Sequence, residues 1–158
     1  MLAYAPPLAF VLSWVFAVLG WNAPGTDAAT PFEEQALRWI LYVALGWTAA
    51  VGSLMHTVFA SRTASSIGWE TSGFQYEVGF ANLAVGLAGI YAGASEHPAA
   101  WVAASIAGGV FLLLAGLNHI VEIVRKKNYA PGNTAILVSD LGVPISLLVL
   151  LLATGALL

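Results

Sequence analysis

The chain has 158 residues, of which 59% are hydrophobic and only 8% charged, with a formal net charge of −3. Soluble domains carry charge on about a quarter of their positions, so this composition, with a mean hydropathy of +0.85, excludes a water-solvated surface and makes the lipid bilayer the expected solvent. The lack of cysteine excludes disulfides, thiolate metal sites and cysteine nucleophiles, and no basic run points to nucleic acid.

A membrane-crossing helix needs about 20 mainly apolar residues. Five stretches meet that need, roughly 5–22, 36–60, 75–94, 99–124 and 134–157. Short connections predict one all-α integral membrane bundle of five transmembrane helices over residues 1–158, with no separate domain. The first stretch opens with Pro6-Pro7, suited to a first helical turn. No Lys or Arg precedes it and no small-x-small cleavage site follows, so it is expected to be retained as a helix. In the polar loop after it, Thr30 is the expected N-cap of the second helix, with Glu33 and Glu34 in the first turn. Residues 61–74 read as a loop with Trp69 as an interface anchor, and Pro131-Gly132 as a type II turn before a helix capped by Asn133 or Thr134. Arg62, Arg125, Lys126 and Lys127 fall in the second and fourth loops, against Arg38 alone on the other side. That asymmetry predicts a cytoplasmic N-terminus and an outside C-terminus.

With this topology, His56, Glu77, His119, Glu122 and Asp140 all fall within roughly 4–10 Å of the cytoplasmic helix ends at 1.5 Å per residue. Ionisable groups in hydrocarbon are costly and mark functional sites by default. Small residues mark close helix approach. Gly46, Ala49, Ser53, His56 and Ala60 form one stripe on the second helix, and Gly109, Gly116 and His119 share a face of the fourth, with Glu122 one turn on. The third helix has small residues on two sides (Gly79, Asn82, Gly86, Gly89, Gly93 and Glu77, Ala81, Ala84, Ala88), which predicts a central position in the bundle. Pro144 cannot donate to the Asp140 carbonyl, so a bend is expected there.

These three carboxylates and two imidazoles have no deeply placed Lys or Arg to pair with. The carboxylates must then be protonated or hold a cation. His and carboxylate together suit a divalent metal such as iron, zinc or manganese, with Gln75, Asn82 and Asn118 as supporting hydrogen-bond partners. A b-type haem between His56 and His119 is a lesser alternative, disfavoured by the neighbouring carboxylates. A buried hydrogen-bonded pair that only locks helices is the bland one. His97 reads as a solvated loop residue.

The runs Ile67-Gly68-Trp69 with Phe74-Gln75-Tyr76-Glu77-Val78-Gly79-Phe80-Ala81-Asn82-Leu83, and Asn128-Tyr129-Ala130-Pro131-Gly132-Asn133 with Asp140 seven residues on, resemble an uncharacterised family of small multi-pass bacterial membrane proteins. The resemblance covers about a third of the chain and departs from the family pattern at Gly73, where Pro is common. It implies a helical fold in a bacterial inner membrane and draws attention to Glu77, Asn82 and Asp140, but supplies no chemistry.

The expected protein therefore carries a cytoplasm-facing intramembrane metal site for redox chemistry or transport. The alternatives are a proton- or cation-coupled transporter subunit without metal, and a structural subunit of a larger membrane complex. Five helices are few for a complete transporter, which favours a homo-oligomer or partner subunits. No glycine-rich phosphate loop or nucleophile elbow suggests a familiar enzyme.

Overall fold

Gly20 ends the first apolar run earlier than hydropathy suggests. The computed structural model describes residues 2–157. In it a single 3₁₀ turn, Leu2–Tyr4, leads into α1, Ala5–Val18. Gly20 takes a left-handed φ of +69°. Its N–H donates to the Ala17 carbonyl and that of Trp21 to the Phe16 carbonyl, the two bonds of a Schellman stop. The 14 residues of α1 extend only about 21 Å at 1.5 Å per residue, short of the roughly 30 Å hydrocarbon core.

Four further helices are long and apolar enough to cross a membrane: α2, Phe32–Thr57; α4, Gly73–Ala94; α5, Pro98–Lys126; and α6, Pro131–Ala153. Between α2 and α4 lies a short helix, α3, Ala60–Ile67. It occupies the first half of the segment 61–74 expected as loop. Its Ala60 and Ala64 are nevertheless buried at helical spacing. No strand occurs among the described residues.

Two helix starts differ from expectation. Pro31, not Thr30, precedes α2 and accepts the Gln35 N–H through its carbonyl. Thr30 instead bonds Asp27 within the loop. Pro131 opens α6 as its first helical residue rather than forming a type II turn. Gly132 lets that helix abut α3, since a Cβ there would stand 2.6 Å from the Ser66 carbonyl oxygen.

The helix that sits among the others is α2, not α4. It packs against α1, α4, α5 and α6. Its middle, Ile40–Trp47, is wound as a π-helix, and the Thr48 hydroxyl donates to the Val43 carbonyl five residues back. Along α2 and α4 the backbones touch through glycine: a Cβ at Gly89 would lie 2.9 Å from Gly46 Cα, and one at Gly86 would lie 2.6 Å from the Ala50 nitrogen. The other side of α4, with Glu77, Ala81, Ala84 and Ala88, is exposed. Alanine suits a lipid-facing surface as well as a packed one, so its presence did not mark a second interface.

Burial divides the bundle by chemistry. Toward the end where α2 begins, Leu37, Ile40, Leu41 and Leu45 of α2 meet Val143 and Leu147 of α6 in a fully enclosed apolar core. Toward the opposite end, beside Ala60 and Ala64, the bundle buries polar side chains: His119, Glu122, Asn133, Ser139 and Asp140. Apolar residues such as Leu54, Leu87, Leu114 and Leu148 face outward and are exposed, as suits lipid.

Candidate functional site

The polar end is assembled where α5 and α6 cross. Gly116 of α5 makes the approach possible, because a Cβ there would stand 3.0 Å from Asp140 Cβ. One turn further, His119 faces Asp140, with Nε2 to Oδ2 at 3.9 Å. That separation is beyond hydrogen-bond range. Asp140 is 3% exposed, and its Oδ2 is buried with no hydrogen-bond partner among the described residues. Pro144 leaves the Asp140 carbonyl without its usual helical donor as well.

The other nitrogen of His119 is fixed by Asn133, which is wholly buried at the start of α6. Nδ1 lies 2.6 Å from Asn133 Oδ1. The Asn133 amide nitrogen donates to the Asn128 carbonyl at 2.9 Å and to the His119 carbonyl at 3.4 Å. An amide so oriented presents only its oxygen to the ring. Nδ1 must therefore carry the hydrogen, and neutral His119 turns the lone pair of Nε2 toward Asp140.

Trp69 covers the ring face. Its indole stacks on the His119 imidazole at a centroid distance of 5.5 Å and an interplanar angle of 19°. The placement follows from the stop of α3. Gly68, at φ +76°, closes a Schellman turn in which its N–H donates to Ser65 and that of Trp69 to Ala64. Asn128 ties this turn to the α5–α6 loop by donating from Nδ2 to the Ile67 carbonyl at 2.8 Å.

The remaining predicted residues make no hydrogen bond to this pair. Glu122 is buried but bonded to Lys126 Nζ at 2.7 Å, and Lys126 is 70% exposed. The same carboxylate, one turn from His119, reaches the Trp69 and Asn128 side chains. Glu77 sits on the exposed face of α4. His56 is half-buried on α2, its Nδ1 enclosed without a hydrogen-bond partner among the described residues. Gln75 donates to the Ala60 carbonyl at the α2–α3 junction, and Asn82 to Val78 within its own helix. Asn118 is exposed and lines an open cleft with Glu122.

Among the described residues, no three His, Cys, Asp or Glu side chains are grouped as a metal would require. Both nitrogens of His119 face protein groups, and Trp69 lies over the ring.

The residues that complete the site, Asn133, Asn128 and Trp69, read from sequence as a cap, a loop residue and an interface anchor. The signal available was the spacing of two asparagines around Pro131-Gly132, one before and one after the turn into α6.

The opposite end holds a polar knot that no sequence motif announces. Arg38 is 1% exposed and donates to the Gly93 carbonyl, Glu34 Oε1 and the Pro24 carbonyl. Gln35 beside it accepts from the Ala23 N–H and the Thr26 hydroxyl and donates to the Asp27 carbonyl. Together they order the loop between α1 and α2. Within that loop, the Thr30 hydroxyl and then the Ala29 N–H hold the Asp27 carboxyl below the usual carboxylate range.

An all-helical chain with four helices apolar enough to cross a membrane, enclosing a His–Asp pair at one end, defines a polytopic helical protein compatible with a bilayer. The chain belongs to the family of unknown function DUF6790, which matches residues 3–157. No curated protein and no solved structure matches it.

Proposed function

We propose that this protein is a proton-coupled membrane transport subunit in which His119 and Asp140 hold one exchangeable proton between them. The observation that carries the reading is the buried Asp140 Oδ2, without a hydrogen-bond partner, facing the Nε2 of a histidine whose Nδ1 hydrogen is committed to Asn133. One proton leaves the pair neutral in either form, as carboxylic acid with imidazole or as carboxylate with imidazolium. Its removal leaves a single negative charge away from water, which is costly in a bilayer. Such a pair keeps a proton until a change in surroundings lets water reach it.

The reading includes α1 as a fifth membrane-embedded helix, with the basic loops in the cytoplasm. Two contacts support it: the turn before α1 packs against the start of α6, and the Trp39 indole N–H donates to the Trp21 carbonyl just past the other end of α1. Five helices are few for a complete transport path, which assigns the remaining wall to a second copy of the chain or a partner subunit.

Infrared difference spectroscopy of the protein in lipid nanodiscs tests the proton. A carboxylic-acid carbonyl stretch that is absent in Asp140→Asn and displaced in His119→Gln is the expected result. No such band at any pH at which the protein stays folded would sink the reading, and near-stoichiometric metal lost in His119→Ala would replace it with the metal site. Topology is tested by single cysteines in the cysteine-free chain: an impermeant thiol reagent added outside should label Ala28→Cys and spare Ala130→Cys. The opposite pattern inverts the orientation.

A further inference from the structure

An open cleft lined by Gly68, Trp69, Glu70, Asn118, Glu122 and Lys126 lies at the polar end of the bundle. It adjoins His119 through one residue. Trp69 both lines the cleft and stacks on the His119 imidazole, so its indole ring stands between the two. His119 itself is 9% exposed, and Asp140 lies deeper, behind it. The cleft is polar on its other sides, with Asn118, Glu122 and Lys126 presented by the last turns of α5. Water can occupy such a surface without the desolvation cost that bars it from the apolar half of the bundle.

We infer that Trp69 is the gate of this cleft: stacked, it shuts water off from His119 and Asp140, and swung aside it opens them to the cytoplasmic side. The inference rests on the proton-holding reading of the pair, but it concerns access and is tested separately. Three features fit a gate better than a fixed core residue. The indole is attached by a turn and not by a helix body, since α3 has ended at Ile67 and residues 69–72 are non-helical. The turn is tethered through the Trp69 N–H to Ala64 and Asn128 Nδ2 to the Ile67 carbonyl, and its indole is latched at the cleft wall by the Glu122 carboxylate alone of the cleft's charged groups.

The third feature is the wiring. Asn128 holds the turn with its side chain and accepts from Asn133 with its carbonyl, and Asn133 sets the tautomer of His119. A displacement of the Trp69 turn therefore pulls on the residue that determines which His119 nitrogen is free. Trp69 acts through His119 and is a positioning residue.

Diethyl pyrocarbonate labelling of the full chain in nanodiscs, read for each histidine by mass spectrometry at one fixed pH, tests access directly. His97 is exposed in the loop between α4 and α5 and serves as the internal reference. Trp69→Ala should raise the His119 rate about threefold to tenfold over His97, the factor set by loss of one aromatic stack, and Trp69→Phe should keep it within about twofold. Asn128→Ala, which unties the turn and leaves the indole in place, should give a smaller rise in the same direction and serves if Trp69→Ala does not fold. An unchanged His119 rate in the folded variants overturns the gate. The two ideas fail separately: the carboxylic-acid band with unchanged labelling removes only the gate, and faster labelling without the band removes only the proton pair.

Discussion

Asn133 Oδ1 lies 2.6 Å from His119 Nδ1 while the Asn133 amide nitrogen donates to two backbone carbonyls, so a neutral, wholly buried side chain decides which nitrogen of the histidine is free. The arrangement joins the start of α6 to the last turns of α5 without using any charge. It also separates two jobs within one ring: Nδ1 orients, and Nε2 faces Asp140. At 3.9 Å, an ionised pair would attract with on the order of 4 kcal/mol at an effective dielectric of 20, comparable to the desolvation it must offset. Near balance between neutral and ionised forms is what a proton-exchanging pair needs.

Replacement of Asn133 by Ala should therefore act on stability and on tautomer together. It removes the acceptor for Nδ1 and the donor to Asn128, leaving buried polar groups without partners. The expected loss is about 2–4 kcal/mol, from unsatisfied groups and the small cavity, measured by thermal unfolding in lipid nanodiscs. Nitrogen-15 chemical shifts of His119 should change from a single tautomer to a mixture. A single unchanged tautomer in Asn133→Ala would show that something other than this amide orients the ring.

The glycine seam between α2 and α4 gives a second, independent test. A methyl at Gly89 would stand 2.9 Å from Gly46 Cα, Gly46 N and the Leu41 carbonyl oxygen, and all three are backbone atoms, which cannot move aside as a flexible side chain would. Gly89→Ala should cost about 1–3 kcal/mol by overpacking. At Gly73, where nothing lies within 4 Å of the added carbon, the same change should be neutral or stabilising by a few tenths of a kcal/mol. Equal effects at both sites in thermal unfolding would contradict the seam. The same geometry means that the small-residue pattern Gly89-x-x-x-Gly93 is occupied within the chain, so it is not free to drive self-association.

The apolar runs were legible because hydropathy reports burial in lipid directly, and the inward stripe of Gly46, Ala49, Ser53 and His56 follows from helical period alone. The end of α1 was not, since Gly20 stops it through a backbone angle while the apolar run continues past it. On α4, glycine and alanine look alike as small residues, yet only the glycines permit backbone contact. At the site, period and depth drew attention to His119 and Asp140, which do face each other. The same criteria admitted Glu77 and Glu122, because depth says nothing about which way a neighbouring helix lies or whether Lys126 is one turn away. Asn133 escaped notice because an asparagine beside Pro-Gly reads as a cap. Its partner, fourteen residues back on another helix, is a tertiary fact.

Arg38 should be the most sensitive position at the far end of the bundle. Its guanidinium joins α2 to the Gly93 and Pro24 carbonyls and to Glu34, from a site 1% exposed. Arg38→Met keeps much of the volume but strands two carbonyls and a carboxylate, and should cost about 3 kcal/mol. Arg38→Lys keeps the charge without the planar fork that reaches three acceptors, and should recover less than half of that loss. Limited proteolysis should then cut between residues 20 and 31 in both variants. Resistance equal to wild type would mean that Gln35 alone orders the loop.

Asp27 makes the same loop sensitive to acid. The Thr30 hydroxyl, then the Ala29 N–H, stabilise its carboxylate and lower its pKa from the ordinary 3.8. The group binds protons less readily folded than unfolded, so its contribution is fully present above pH 3.8 and is lost as the pH falls below that value through the folded pKa. Proteolytic protection of residues 20–31 should accordingly decline in that acid window in the wild type. Thr30→Val removes the largest stabilising bond and should move the decline to higher pH, while Asp27→Asn should leave protection independent of pH there. An acid transition of the loop that is the same in all three proteins would rule out Asp27 as its source.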